Sequence, residues 1–339
     1  MSGDEIDLVV PWCDDADEKW RAKRLACARR VGRPMGEYVN GACRYRGGDE
    51  LKYMLRSLDL YAPWFCRVHL LVDDDAALPA WLRTDIPDLC VVRHSDFVPH
   101  AYLPTFTPDT FEHFLWAIPG LADRFVFAND DTMFSRPTPR SFFFAPDGMP
   151  IFRFGSRRRF HQGDAGASTY HAGMDRSEAM VVAKFGHRAG LACALGRSPH
   201  HNMDAYLKRD YKDCYELFRM ELAETGAFRF PFRSEEGCQR ILYALFALAT
   251  GRGHFRRAPF NTKWNKPWWR YLIPSRGESL QFSGSVWKHA EKQLYRYRPY
   301  LFCFNDGVET TETDRRWLDD FYRRRFPAPS RFERQGGVE

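Results

Sequence analysis

The 339-residue sequence predicts an α/β protein with an open, mostly parallel sheet flanked by helices. Three observations predict it. Short, nearly continuous apolar runs recur through the first 135 residues, stretches with helical apolar spacing lie between them, and a polar cluster follows each run at once. Strands buried on both faces read as unbroken apolar runs, and strands alternating with helices join by right-handed crossovers into a single sheet.

The first run is Ile6 to Val10 (IDLVV), followed by Trp12, Asp14, Asp15 and Asp17. GGDELKYMLRSLDLYAPW then sets Leu51, Met54, Leu55, Leu58 and Tyr61 at helical spacing, with Pro63 as the stop. There Asp49 reads as the N-cap, Gly47 and Gly48 as the turn, and Glu50 as a first-turn charge complementing the helix dipole. Val68 to Val72 (VHLLV) runs into Asp73 to Asp75, and Leu89 to Val92 (LCVV) into His94 and Asp96. PDTFEHFLWAIPG places Phe111, Phe114, Leu115 and Ile118 on one helical face. The fourth run, Phe125 to Ala128 (FVFA), ends in Asn129, Asp130 and Asp131. Ligands bind outside the carboxyl ends of strands in such sheets, so these acidic groups are expected along one edge.

Further on, Asp147 to Arg197 is rich in Gly, Arg and His and reads as a mobile insertion or lid. Met203 to Thr225 and Glu235 to Thr250 carry helical spacing, and the last residues read as an amphipathic helix with a frayed end. Apolar residues at 44% and charged ones at 28% exclude a disordered polyelectrolyte or a fibrous repeat. Nine cysteines, odd in number and never spaced CxxC, signal neither a zinc site nor a disulfide framework and suit a reducing compartment. MSGDEID has no leader-like pattern, and Ile241 to Thr250, the most apolar stretch, is too short to cross a bilayer. A cytoplasmic protein is expected.

The net charge of +6 is local, at Arg157–Arg159, Arg256–Arg257 and Arg323–Arg325. These runs suit a phosphate-bearing substrate, an anionic membrane surface or plain solvated faces. No helix-turn-helix, RNA-recognition or zinc-finger pattern accompanies them, so nucleic acid is not expected.

Asp130 and Asp131 have two readings. Paired carboxylates are hard oxygen ligands for Mg²⁺ or Mn²⁺ shared with substrate phosphate oxygens, whereas Asn and Asp also simply form turns. His200 and His201 in SPHHNMDAY offer a general base or a structural pair. Arg229 and Arg233 in FRFPFRSEE suit bidentate phosphate binding, although Arg233 also suits pairing with Glu235 or Glu236.

Four blocks in order carry a resemblance: IDLVVPWCDDAD (6–17); RYRGGDELKYMLRSLDLYAPW (44–64) with LPTFTPDTFEHFLWAIPGLADRFVFANDDTMF (103–134); FGHRAGLACALGRSPHHNMDAYLKRD (185–210) with FRFPFRSEEGCQRILYALFALATGR (from 228); and FCFND (302–306). Together they resemble the Stealth family of sugar-1-phosphate transferases, which includes bacterial capsule phosphotransferases and the catalytic subunit of the lysosomal-enzyme N-acetylglucosamine-1-phosphotransferase. Pro11, Cys13 and Asp14-Asp15 depart from the family's first block, and PHHNM lacks the proline of its His-x-Pro motif.

The resemblance implies a Rossmann-like, glycosyltransferase-A-like sheet. It divides the chain into the N-terminal half of a catalytic α/β domain (1–146), an insertion or lid (147–197), a C-terminal half completing the site (198–310), and an amphipathic helix with tail (311–339). It implies a nucleotide-sugar donor of UDP-hexose or UDP-N-acetylhexosamine type, a glycan or polysaccharide acceptor, Mg²⁺ or Mn²⁺, and release of UMP in capsular or exopolysaccharide synthesis. By resemblance Asp7, Asp130, His201 and Arg233 fall at catalytic positions, and Asp130 and Asp131 at metal positions. Trp12, Asp14, Arg44, Asp49, Arg56, Asn129, His200, Asn305 and Asp306 are expected around the substrate. Asp7, at the start of its strand, also reads as a structural anchor. The rivals are a metal-dependent glycosyltransferase releasing UDP and a non-catalytic carbohydrate-binding protein. Peripheral contact with the inner face of the membrane is an alternative placement to the free cytoplasm.

Overall fold

The structure is a computed structural model that describes residues 5–32, 39, 41–158, 161–164, 169–199, 203–234, 240–258, 261–262, 279–283, 287, 290–307 and 310–334. Its strands are β1 (Ile6–Pro11), β2 (Val68–Val72), β3 (Leu89–Arg93), β4 (Arg124–Phe127), β5 (Thr132–Phe134), β6 (Ile151–Arg157), β7 (Arg197–Pro199), β8 (Asp204–Leu207), β9 (His254–Arg257), β10 (Asn261–Thr262), β11 (Ser279–Ser283) and β12 (Leu301–Asn305). The longer helices are α1 (Glu18–Val31), α2 (Glu50–Tyr61), α3 (Thr169–Phe185), α4 (Lys208–Glu224), α5 (Ile241–Thr250), α6 (Ala290–Tyr297) and α7 (Glu312–Arg325).

The four runs predicted as parallel strands form the central sheet, in the order β3-β2-β1-β4-β8. β1 pairs in parallel with β2 and with β4, β2 pairs in parallel with β3, and only β8 at the edge is antiparallel. Alternate side chains point to opposite faces of a strand. Leu8, Val10, Leu70 and Val126 therefore enter one core with Leu51, Met54, Leu55 and Leu58 of α2. Val9, Leu71, Phe125 and Phe127 enter a second core with Tyr211 and Phe218 of α4 and Tyr243 and Leu245 of α5. Strand order reverses between β1 and β4, and the chain leaves both at their carboxyl ends there. That crevice is where an open α/β sheet accommodates a ligand.

A second sheet, β10-β11-β12-β5, carries FCFND toward the end of β4. β12 runs antiparallel to β5, with Cys303 opposite Thr132, so residues just past Cys303 come level with Asp131.

Several expectations differ from the structure. EKWRAKRLACARRV, not predicted as a helix, forms α1, capped by Asp17, whose carboxylate accepts from the N–H groups of Lys19 and Trp20. Asp204–Leu207 pairs with β4 instead of opening a helix, because the edge of that strand is otherwise unpaired. PDTFEHFLWA forms a single α-turn, Pro108–Phe111, that tightens into a 3₁₀ stretch over Glu112–Ala117.

The supposed lid contributes β6 and α3, and buries Phe152, Phe154, Met174 and Val181 in the second core. Its arginines had masked this. Arg158 turns inward and pairs with Asp175 and Glu178, each at 2.6 Å, and buried arginine is tolerated in such pairing. The end expected to fray packs back through residue 334. Phe332 is buried, Arg83 N–H donates to its carbonyl, and Arg56 grips Glu333 bidentately at 2.8 and 2.6 Å.

Among the described residues the eight cysteines are free thiols, and no helix is long and apolar enough to cross a membrane.

Candidate active site

The crevice collects carboxylates from four places in the sequence: Asp14 from the loop after β1, Glu50 from the first turn of α2, Asp130 and Asp131 from the end of β4, and Asp306 from beyond β12. Burial pushes the Glu50 carboxyl up to about 7, reinforced by the charges of Asp131, Asp319 and Asp306. Asp130 is raised well above the ordinary carboxylate range, first by burial and then by Asp131 and Glu50. Burial raises Asp131 to about 6, against hydrogen bonds from Cys303 and Thr132. All three side chains keep a partial opening to solvent. Dehydration together with like charge makes full ionisation unfavourable unless a cation joins them.

Gly47 and Gly48 explain how the acids fit. A Cβ on Gly47 would stand 2.4 Å from the Asp14 carboxylate, and one on Gly48 2.4 Å from that of Glu50. The pair thus leaves room for the two carboxylates where they stand, most strictly at Gly47, where Asp14 is met as far back as its Cβ. Asp49 does stand at the N-cap of α2, but its side chain accepts no capping hydrogen bond.

Cys303 Sγ lies 3.2 Å from Asp131 Oδ2 and 3.3 Å from Asn305 Oδ1, and ties the end of β12 to the acidic pair. Cys303→Ala should lower turnover while leaving unfolding close to wild type, and Cys303→Ser, which keeps a donor, should restore it. Equal rates in both variants would remove the thiol from the site. Among the described residues the buried Tyr322 hydroxyl has no hydrogen-bond partner, and its titration is raised by burial, then Glu50, Asp131 and Cys303. It thus faces the same cluster as an unused donor.

Beside the acids, Arg24 pairs with Asp15 at 3.0 Å and lies 4.4 Å from the Tyr45 ring. Arg233 stands 3.8 Å from Asp109, and burial raises the Tyr45 hydroxyl against the opposing charges of Arg24 and Arg233. On the other face of β4, Arg240 joins Glu112 at 2.8 Å and Asp204 at 3.1 Å over the Phe127 ring.

The residues expected from the sequence thus divide. Asp14, Asn129, Asp130, Asp131, Asn305 and Asp306 are gathered around the crevice, and Arg46 holds Asp306 at 2.9 Å. Arg44 is exposed on the approach to Tyr45. Trp12 is buried in the first core and donates its N–H to Leu71, and Arg56 is spent on Glu333, so the structure uses both in packing. Asp7 is fully buried at the amino end of β1, away from the carboxyl-end crevice. It accepts from His69 Nε2 and Ala122 N–H, both at 2.9 Å, and pairs with Arg67 at 3.3 Å. His200 and His201 lie outside the described residues. Glu50, Cys303 and Tyr322 were missed. The GG before Glu50 was the only sequence signal for any of them.

Among the described residues no group of three or more His, Cys, Asp or Glu is arranged to enclose a metal by itself. The hard oxygens of Asp130 and Asp131 instead fit the mode in which Mg²⁺ takes one or two carboxylates and completes its shell with water and substrate phosphate.

Fold and site define the class: an α/β protein with a glycosyltransferase-like sheet and an acidic ligand crevice at its strand-order reversal. Two conserved regions of the Stealth family match the chain. Residues 44–152 match Stealth protein CR2, conserved region 2, and residues 292–339 match Stealth protein CR4, conserved region 4. The chain is 29% identical over 336 residues to an exopolysaccharide phosphotransferase of Streptomyces coelicolor, covering 97% of this chain and 57% of that one. It is 30% identical over 341 residues to one of Nocardia farcinica, covering 98% and 62%. With exopolysaccharide phosphotransferase CpsY of Mycobacterium tuberculosis it shares 29% identity over 338 residues, covering 97% and 58%. The chain therefore spans little more than half the length of these relatives.

Proposed function

We propose that the protein transfers a hexose-1-phosphate or N-acetylhexosamine-1-phosphate from a nucleotide-sugar, of UDP type, to a hydroxyl of a glycan acceptor. The acceptor oxygen attacks the phosphorus next to the sugar and forms a phosphodiester. The bond to the nucleoside-side phosphate breaks, and nucleoside monophosphate leaves. The observation that carries this reading is the carboxylate pair Asp130-Asp131, dehydrated and mutually repelling, at the reversal point of the sheet. The names of the relatives, exopolysaccharide phosphotransferases, agree with it. The product would enter a capsular or other cell-surface polysaccharide, made from the cytoplasmic side.

Asp130 and Asp131 would hold Mg²⁺ or Mn²⁺. When bound, the ion supplies charge neutralisation at the diphosphate. Glu50 stands behind the pair as a third negative charge, and Cys303 orients Asp131. Arg233, which lies near Asp109 and Tyr45, meets phosphate oxygens in this scheme, its planar fork being suited to bidentate contact. His201 takes the proton of the acceptor hydroxyl in this scheme, on the strength of the family motif. Positioning and charge compensation do most of the work of phosphoryl transfer, which matches a site built from fixed charges.

The test supplies a panel of nucleotide-sugars with Mg²⁺ and candidate glycans and measures the nucleotide released. UMP, with phosphate retained in the new linkage, is expected, and Asp131→Asn should reduce its formation by about 10²–10³-fold. UDP as sole product would replace this reading with glycosyl transfer. Glycan binding indifferent to chelator and to Asp130→Ala, with no nucleotide released, would leave a binding protein.

A further inference from the structure

Away from the acidic crevice, a groove of about 1020 Å³ lies between the end of β5, α6 and α7. Among the described residues it is lined by Arg136, Arg296, Arg298, Arg324 and Arg325 with Glu291 as the one carboxylate. Glu291 is taken by Arg324 at 2.8 Å. Among the described residues, Arg136, Arg298 and Arg325 have no carboxylate within ion-pair distance. Arg325 is fixed instead by two 3.0 Å hydrogen bonds to the carbonyl and hydroxyl of Ser135, and the Arg136 guanidinium carbon lies over the Tyr300 ring, 3.6 Å from its centre. The Nε donors of both are buried with no hydrogen-bond partner among the described residues. Arg298 holds a positive φ of 43°, a conformation that is uncommon for a side-chain-bearing residue and tends to persist where function uses it.

Arg136 and Arg325 are partly buried while Arg298 is exposed at the rim, and partly dehydrated guanidinium groups are normally matched by carboxylate or by phosphate. Among the described residues no carboxylate is within ion-pair distance of these three. Arg136 and Arg325 are also held against the walls of a cleft by Tyr300 and Ser135, a form that suits a threaded anionic chain better than a flat surface. Tyr295, 87% exposed beside them, adds an aromatic face for a sugar ring.

We infer that this groove binds the phosphodiester of an acceptor glycan that already carries sugar-phosphate linkages, so that the growing chain is gripped at a second site while its end reaches the acidic crevice. This rests on the proposed function, because a transferase of that kind would lengthen such a chain. Ser135 at the groove and Asp131 at the crevice are joined by β5, and four extended residues span about 13 Å, room for a short stretch of glycan between the two sites.

The experiment measures binding of an oligosaccharide joined by phosphodiesters, of a neutral oligosaccharide of equal length, and of anionic phospholipid vesicles. Wild-type protein, Arg136→Gln and Arg298→Gly are compared, glycine being well suited to the positive φ at 298. The charged oligosaccharide should bind at least tenfold more tightly than the neutral one, and both substitutions should remove most of that difference without changing nucleoside monophosphate release to a short neutral acceptor. Equal affinity for the two oligosaccharides overturns the inference. So does arginine-dependent binding of vesicles with no effect on the oligosaccharide, which would make the groove a membrane contact. Arginine-dependent binding in a protein that releases no nucleoside monphosphate from any donor would sink the transferase reading and leave the groove standing as a phosphoglycan site.

Discussion

Glu50→Gln is expected to stabilise the protein in the absence of divalent cations, by about 2 kcal/mol at pH 8 once the solvent that still reaches the side chain is allowed for. Glu50 titrates near 7 in the folded chain against an ordinary 4.5, and Asp131 near 6 against 3.8. Both carboxyls hold their protons more tightly when folded. The folded state therefore binds more protons between about pH 4 and 7, and stability is lost as pH rises through that window. The difference between Glu50→Gln and wild type should be near zero at pH 4 and grow toward pH 8. Thermal unfolding in chelator across this range reads it directly. Mg²⁺ or Mn²⁺ should then raise the wild-type midpoint more at pH 8 than at pH 5, and Asp130→Asn with Asp131→Asn should abolish that gain. A constant difference between variant and wild type across the range, or a cation effect that survives loss of both aspartates, would disconnect these carboxylates from one another and from the ion.

Asp7→Asn is expected to cost about 3–5 kcal/mol of stability, the range for removing one partner of a buried charge pair, and to lower the unfolding midpoint by roughly 5–10 °C. Burial alone would raise the Asp7 carboxyl. The hydrogen bonds from His69 and Ala122 and the nearby Arg67 outweigh it and hold Asp7 below its usual value. A depressed carboxyl contributes stability above its unfolded value near 3.8, and that contribution is lost as pH falls through the folded value. The gap between wild type and variant should therefore close in acid. Folded Asp7→Asn protein, compared at a temperature where both forms are intact, should keep most of its turnover. A variant as stable as wild type yet inactive would return Asp7 to the chemistry that the family resemblance assigns to it.

These two residues show how differently parts of the molecule could be read. Both lie in the resemblance's conserved blocks, and both are acidic. Asp7 stands within an apolar run, so its burial was legible, but its partners His69 and Arg67 come from another strand, and Ala122 from a loop more than a hundred positions on. Glu50 looked like a helix-dipole charge because local rules explained it fully. Its neighbours Asp131 and Asp306 arrive through β4 and β12, and no spacing within GGDE announces them. The arginine runs misled in the same way. Arg158 and Arg325 sit amid exposed-looking basic sequence, yet one is buried on Asp175 and Glu178 and the other is held by Ser135.

Local chemistry, then, was sufficient for the central parallel strands, for α2 and for the acidic end of β4, because apolar runs, helical spacing and the break in polarity at Asn129 are written along the chain. Tertiary structure alone decided that Asp7 is anchored at the far end of the sheet, that α3 and the last residues pack into the cores, and that Glu50, Asp130, Asp131, Cys303 and Tyr322 share one crevice. The reason is physical: a strand or helix follows from neighbours a few residues apart, whereas a site depends on which side chains the crossovers and the β5–β12 pairing bring together. Only in that assembled state do burial and like charge change what each carboxylate can do.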